Sequence, residues 1–229
     1  MPALPKLPQP QTILEAMPKL TIPEAIRQQT QYKRKYGPAQ MFDAFVQIPS
    51  ALGKMLGNRG QKLVSNAWVE RIQLAVTEVS GCAACSYAHT YMALKQGMSQ
   101  EEISSFLSAD GQFVRAEEAK SILFAQHFAE MGGRPRQAAY RALVDEYGPE
   151  KAQVIFAAAQ LMIVGNISGL PFSALLARLD GKPYADSTLF YELGMQVAGF
   201  LGLPLALALG LLALALPYPG RRLSRDQDH

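Results

Sequence analysis

Residues 70–89 read ERIQLAVTEVSGCAACSYAH. The first half carries Ile72, Leu74, Ala75, Val76 and Val79 at helical spacing, the end of a helix expected over 61–79. Ser80-Gly81 breaks it. Cys82 then opens a second helix, expected to run to Gln96 and to stop at Gly97. A helix–turn–helix with two thiols at the start of its second arm organises the reading of everything around it. At 100° per residue, Cys82, Cys85 and His89 fall within about 60° of one another, so one helix face carries two sulfurs and an imidazole.

That placement suits thiol chemistry. A helix start presents unpaired N–H groups and partial positive charge, which favour thiolate over thiol. Two thiols three residues apart close a disulfide with little backbone movement. A histidine one turn on can hold or relay a proton. One sulfur can attack an oxidant and become a sulfenic acid, and the other can resolve it to a disulfide. Two other readings use the same residues: a metal site on Cys82, Cys85 and His89 completed by a carboxylate, and inert thiols beside a core histidine. Glu70, twelve residues before Cys82, belongs to the preceding helix, and Glu78 shares its face. A carboxylate buried there among Trp68, Ile72 and Leu74 would exchange protons near neutrality; exposed, it would be an ordinary surface acid.

Outward from this hairpin, almost every segment reads as helix. An amphipathic stretch is expected from Pro23 to about Tyr36, and another over 39–56 that Pro49 kinks or divides. Ser99-Gln100-Glu101-Glu102 is a capping-box opening to a short helix ending near Leu107. A long amphipathic helix spans 115–131. Pro135 starts the next, which stops at Gly148. Pro149 then opens an apolar helix through Leu161, with an interruption expected at 165–171 and a last short helix over 174–179. No run of alternating β-branched residues is long enough for a strand. The class is all-α.

The residues quoted so far resemble the alkylhydroperoxidase D-like branch of the carboxymuconolactone decarboxylase superfamily. The likeness rests on Glu70, the apolar helix after it, Gly81-Cys82-Ala83-Ala84-Cys85 and His89. It extends through Ala116–Lys120 and Tyr147-Gly148-Pro149-Glu150, covering roughly 38–180. The resemblance implies an alkylhydroperoxidase D-like helical core that forms homo-oligomers. It implies reduction of peroxides or of a partner's disulfide, with a thiol or lipoyl-type reductant and no cofactor. By position, Cys85 matches the peroxide-attacking cysteine, Cys82 its resolving partner, and His89 and Glu70 the proton relay. The helix dipole alone favours Cys82 as the more acidic thiol. Ala84 stands where some members carry a histidine between the cysteines, so one relay group is missing.

Composition bounds the rest. The chain has 229 residues, 49% of them hydrophobic and 18% charged, with a net charge of +3 and two cysteines. These figures exclude wholesale disorder and a disulfide-rich scaffold, and they give no argument for nucleic acid. The low charge is concentrated in residues 197–217, VAGFLGLPLALALGLLALALP, where no side chain is charged or polar. At 1.5 Å per residue this run is roughly 30 Å long, the thickness of a hydrocarbon core. It reads as a membrane-inserted helix or as one buried in a subunit interface. Arg221, Arg222 and Arg225 follow it, on the wrong side for a simple tail anchor with a cytoplasmic body. The expected organisation is an arm and basic helix over 1–37, a helical core over 38–185 and an apolar segment over 186–229. No signal peptide is evident, so the expected compartment is the cytoplasm, with membrane association through 197–217 as an addition. A membrane-associated, non-catalytic oligomerisation module is the alternative function. His127 reads as a structural or surface histidine.

Overall fold

The computed structural model describes residues 30–179 and 181–215. Among them are eight α-helices: α1 (Pro38–Val46), α2 (Ile48–Gln61), α3 (Asn66–Ser80), α4 (Ala83–Lys95), α5 (Gln100–Ser108), α6 (Ala119–Glu130), α7 (Gln137–Leu179) and α8 (Leu189–Ala215). A 3-10 turn, Ala116–Glu118, leads into α6, and no strand occurs among the described residues. The fold is all-α, with a long apolar helix at its C-terminal end.

Two helices form the centre. Helix α3 packs against α4, α5, α6 and α7. Its Ile72, Leu74, Ala75 and Val76 are all fully buried, as a helix covered on several sides requires. Helix α7 touches α1, α2, α3, α4, α6 and α8. Its Ala152, Ala157, Ala158 and Ala159 are buried, and such small side chains let neighbouring helices approach closely. Between α6 and α7, Phe124, Phe128, Tyr140 and Phe156 form an aromatic cluster with edge-to-face contacts. His127 Nε2 accepts from the Arg136 amide at 3.2 Å and closes the turn between these helices, the structural role expected of it.

The boundaries differ from the sequence reading at three places. Residues 30–37 are not helical. They form an extended strap, because their side chains and amides are taken up by tertiary partners: Tyr32 N–H donates to the Asp186 carboxylate, and Tyr191 OH donates to Tyr36 O. The rest of the expected 23–36 helix, the proline-rich arm and Arg221–Arg225 lie outside the described residues. Second, α3 begins at Asn66 rather than Gln61. Buried Asn58 grips Val64 through both its amide nitrogen and its amide oxygen, Lys62 turns left-handed, and Ser65 caps the new helix at Trp68 N. Third, α7 runs unbroken through 165–171. Pro171 is carried inside the helix, whereas the one non-helical residue of α7, Gly148 (φ 75°), marks a kink where two helical segments meet, at the stop expected before Pro149. Burial on several sides outweighs the local preference of Gly165, Gly169 and Pro171. The division expected at Pro49 is present, at Gln47.

Helix α8 lies along the body. Gly199 faces Met41 and Phe45, Gly202 faces Phe42, and Gly210 sits against Val46 O and Pro49. The two sets of numbers rise together, so α8 runs in the same direction as α1. Its inward face is small or buried (Met195, Gly199, Ala206, Gly210), and its outward face is Leu and Phe. At its start, Arg178 holds the buried Glu192 carboxylate through Nε and a terminal nitrogen, at 2.7 and 2.8 Å.

Candidate active site

The turn between α3 and α4 places the sulfurs. Gly81 caps α3 in the left-handed region (φ 72°), a conformation that costs a side-chain-bearing residue about 1–2 kcal/mol. Lys33 of the strap crosses directly over it and reaches Glu78, donating to its carbonyl at 3.1 Å and its carboxylate at 3.3 Å. Glu78 is therefore tied to the strap rather than to His89. Tyr36 OH pairs with Ser80 Oγ, so the strap holds both residues that precede Cys82.

Cys82 is the N-cap of α4 and Cys85 its third residue. Their Cα atoms are 5.3 Å apart and their sulfurs are joined in a disulfide. The Cys85 N–H donates to Cys82 Sγ at 3.3 Å. Cys82 is fully buried, whereas Cys85 is 8% exposed. One turn further along α4, His89 Nδ1 lies 2.9 Å from Glu70 Oε2. Both side chains are mostly buried, at 14% and 11% exposure, so Glu70 is not a surface acid. With Nδ1–H donating to the carboxylate, Nε2 is the nitrogen left for proton exchange. All four residues singled out in the sequence thus belong to the α3–α4 hairpin, in two linked pairs. The sulfurs are bonded to each other and His89 turns to Glu70. Among the described residues no group of three or more His, Cys, Asp or Glu is arranged to hold a metal.

The remaining wall comes from α7, which the sequence reading left out. Gly169 presents its bare Cα to both sulfurs: a Cβ there would stand 2.7 Å from Cys82 Sγ and 2.9 Å from Cys85 Sγ. One turn on, Ser173 Oγ donates to Gly169 O at 2.8 Å and accepts from Ala84 N–H at 3.3 Å. It thereby satisfies one of the orphan amides of the α4 start. Asn166, fully buried on the same helix, accepts a long hydrogen bond from Thr77 Oγ1 at 3.4 Å. A glycine interrupting an otherwise apolar helix can signal close approach of another group, and that was the available cue.

A second buried cluster supports the hairpin from behind. Arg71, 1% exposed, binds Glu118 in a fork at 2.6 and 2.7 Å and Glu102 at 3.0 Å. Ser121 Oγ donates to Glu118 O and accepts from Trp68 Nε1. This network joins α3 to α5, to the 3-10 turn and to α6. It anchors α3, the helix that carries Glu70, through the adjacent residue Arg71.

Residues 59–126 match the model of the carboxymuconolactone decarboxylase family, the superfamily of the alkylhydroperoxidase D-like proteins. The matched stretch contains Glu70, Cys82, Cys85 and His89, and stops short of α7. Members of this family are often enzymes, either decarboxylases or peroxidase-like. No curated protein and no solved structure matches the chain.

Proposed function

From residues 59–126 as a carboxymuconolactone decarboxylase-family segment, we propose that the protein is a thiol-dependent peroxidase or disulfide oxidoreductase. The observation that carries this reading is the joining of Cys82 and Cys85 at the start of α4 with a Glu70–His89 pair one turn away. In the reduced protein Cys85 is the attacking thiolate. It is the more exposed of the two cysteines, and an oxidant reaches the more exposed residue first. Its attack on a peroxide, ROOH, breaks the O–O bond, leaves Cys85 as a sulfenic acid and releases ROH with one added proton. Cys82 then attacks the Cys85 sulfur, water leaves, and the disulfide forms. An external dithiol reduces the disulfide by exchange and is itself oxidised to a disulfide, which returns both cysteines to thiols.

The surrounding groups have separate parts in this cycle. His89 Nε2 takes the thiol proton and returns one to the leaving oxygen, while Glu70 orients the ring and stabilises its cationic form. The Cys85 amide aimed at Cys82 Sγ favours negative charge on the resolving sulfur once the disulfide opens. The α7 wall of Gly169 and Ser173 keeps the α4 start in register. The reductant is a small dithiol or lipoyl-type group, and homo-oligomers are the expected assembly.

A thiol titration of the reduced protein before and after hydrogen peroxide tests the cycle. Two thiols should disappear and return on treatment with dithiothreitol, and Cys85→Ser should abolish peroxide consumption. Full activity in the Cys85→Ser protein would overturn the mechanism.

A further inference from the structure

The outward face of α8 is left uncovered by the described residues. Phe190 is 88% exposed, Phe200 80% and Leu201 68%. Val197, Leu205, Leu209, Leu211, Leu212 and Leu214 continue the same surface to the end of the described helix. Monomeric soluble proteins rarely leave an apolar patch beyond roughly 300–600 Å² bare. From Val197 to Ala215 this face has no side chain able to donate or accept a hydrogen bond. Interfaces between protein copies carry about one hydrogen bond per 100–200 Å², whereas hydrocarbon asks for none.

The opposite face of α8 is occupied by α1, α2 and α7 as far as Gly210, and residues 211–215 are exposed. A helix so docked offers only one side to lipid. Helix α8 is long and apolar enough to cross a membrane, but the helices docked on it would have to cross with it, which favours a helix lying in the plane of the bilayer surface. The neighbouring α2 supplies complementary charge. It exposes Leu52 and Leu56, with exposed Arg59 on the same side of the helix, exposed Lys54 on the other flank and exposed Lys62 just past its end. No acid occurs between Asp43 and Glu70 in the sequence, and none of the three cations is paired with a carboxylate among the described residues. An apolar ridge beside unpaired cations matches an acyl layer beneath anionic headgroups.

We propose that the protein is a monotopic membrane protein, with the outer face of α8 inserted in the plane of an anionic bilayer and the α2 cations on its headgroups. The attachment stands whether or not the thiol cycle operates, and it also accommodates the arginines after the apolar run, which need not cross.

Flotation of the full chain with phosphatidylcholine vesicles, with and without phosphatidylglycerol, tests the proposal. Binding is expected to both, roughly tenfold tighter with phosphatidylglycerol, and the difference should shrink as salt is raised. The triple variant Lys54→Gln, Arg59→Gln, Lys62→Gln should lose the difference and keep the binding. Leu201→Glu with Leu205→Glu should lose binding to both while keeping its helical signal and the Cys82–Cys85 disulfide. If that variant does not fold, Phe200→Trp with brominated acyl chains replaces it, and quenching of the added indole is expected. A Ser224→Cys protein bound to sealed vesicles should react with an impermeant maleimide added outside. Binding that ignores phosphatidylglycerol, indole fluorescence that the brominated chains leave unquenched in the Phe200→Trp protein, or protection of the thiol in the Ser224→Cys protein would overturn in-plane attachment. So would a protein that ignores vesicles and forms an oligomer that Leu205→Glu dissociates, which would assign the face to a second copy.

Discussion

Gly169 lies flat against Cys82. A methyl group at position 169 would stand 2.7 Å from Cys82 Sγ and 2.9 Å from Cys85 Sγ, closer than non-bonded carbon and sulfur tolerate. Gly165→Ala on the same helix meets nothing within 4 Å. Gly169→Ala is therefore expected to destabilise by about 1–3 kcal/mol, while Gly165→Ala should stabilise by about 0.5–1 kcal/mol. Urea unfolding of the oxidised proteins measures both. Equal and small effects at the two glycines would show that α7 does not close on the sulfurs.

Glu70 is the only described acid hydrogen-bonded to His89. Glu70→Gln retains the shape but removes the charge that holds the imidazolium. Peroxide turnover should fall about 10²–10⁴-fold, the range for loss of acid–base assistance. The number of titratable thiols should stay at the wild-type value. Steady-state turnover and thiol counts on the same preparation separate this loss from a failure to fold.

Arg71 makes no contact with the sulfurs, so its removal should act on stability first. Arg71→Met leaves Glu118 buried without its counter-charge, an event that costs about 3–5 kcal/mol. A double change, Arg71→Met with Glu118→Leu, removes both charges and should recover most of that loss. Thermal denaturation of the single and double variants decides whether the fork is a paired unit.

The Arg178 guanidinium holds the Glu192 carboxyl below its ordinary value, against the opposing effect of burial. The folded state then binds fewer protons at this site than the unfolded chain. The pair's stabilisation is fully present above the unfolded value of 4.5 and is lost as pH falls through the lower folded value. Melting temperature should drop more steeply below about pH 4.5 in the wild type than in Glu192→Gln. Parallel curves for the two proteins would exclude a contribution from this carboxylate.

The α3–α4 hairpin was legible because its signals are local. A glycine ended one helix, and two cysteines and a histidine at helical spacing shared the face of the next. The part of Glu70 beside His89 came from the family resemblance, since spacing alone left Glu70 and Glu78 on one face and Glu70 either buried or exposed. The strap at 30–37 was misread as helix because its amphipathic pattern is real, yet Tyr32, Lys33 and Tyr36 spend their hydrogen bonds on Asp186, Glu78 and Ser80 instead. The continuity of α7 through 165–171 was missed for a similar reason. Gly165, Gly169 and Pro171 weaken an isolated helix, and only burial against α3 and α4 overrides them.

By itself, then, the sequence determined the all-α class, the thiol pair with His89 on the same helix face and an apolar helix after the core. Each follows from backbone periodicity or from chemistry carried within a few turns. Tertiary structure decided which cysteine is the more exposed, that Glu70 meets His89, which backbone closes over both sulfurs, and which face of α8 is turned outward. Apart from the Glu70–His89 pair, those facts depend on helices more than eighty residues apart in sequence, as Ala84 and Ser173 are. Contacts at such separation are set by how whole helices pack, and no local pattern of residues encodes them.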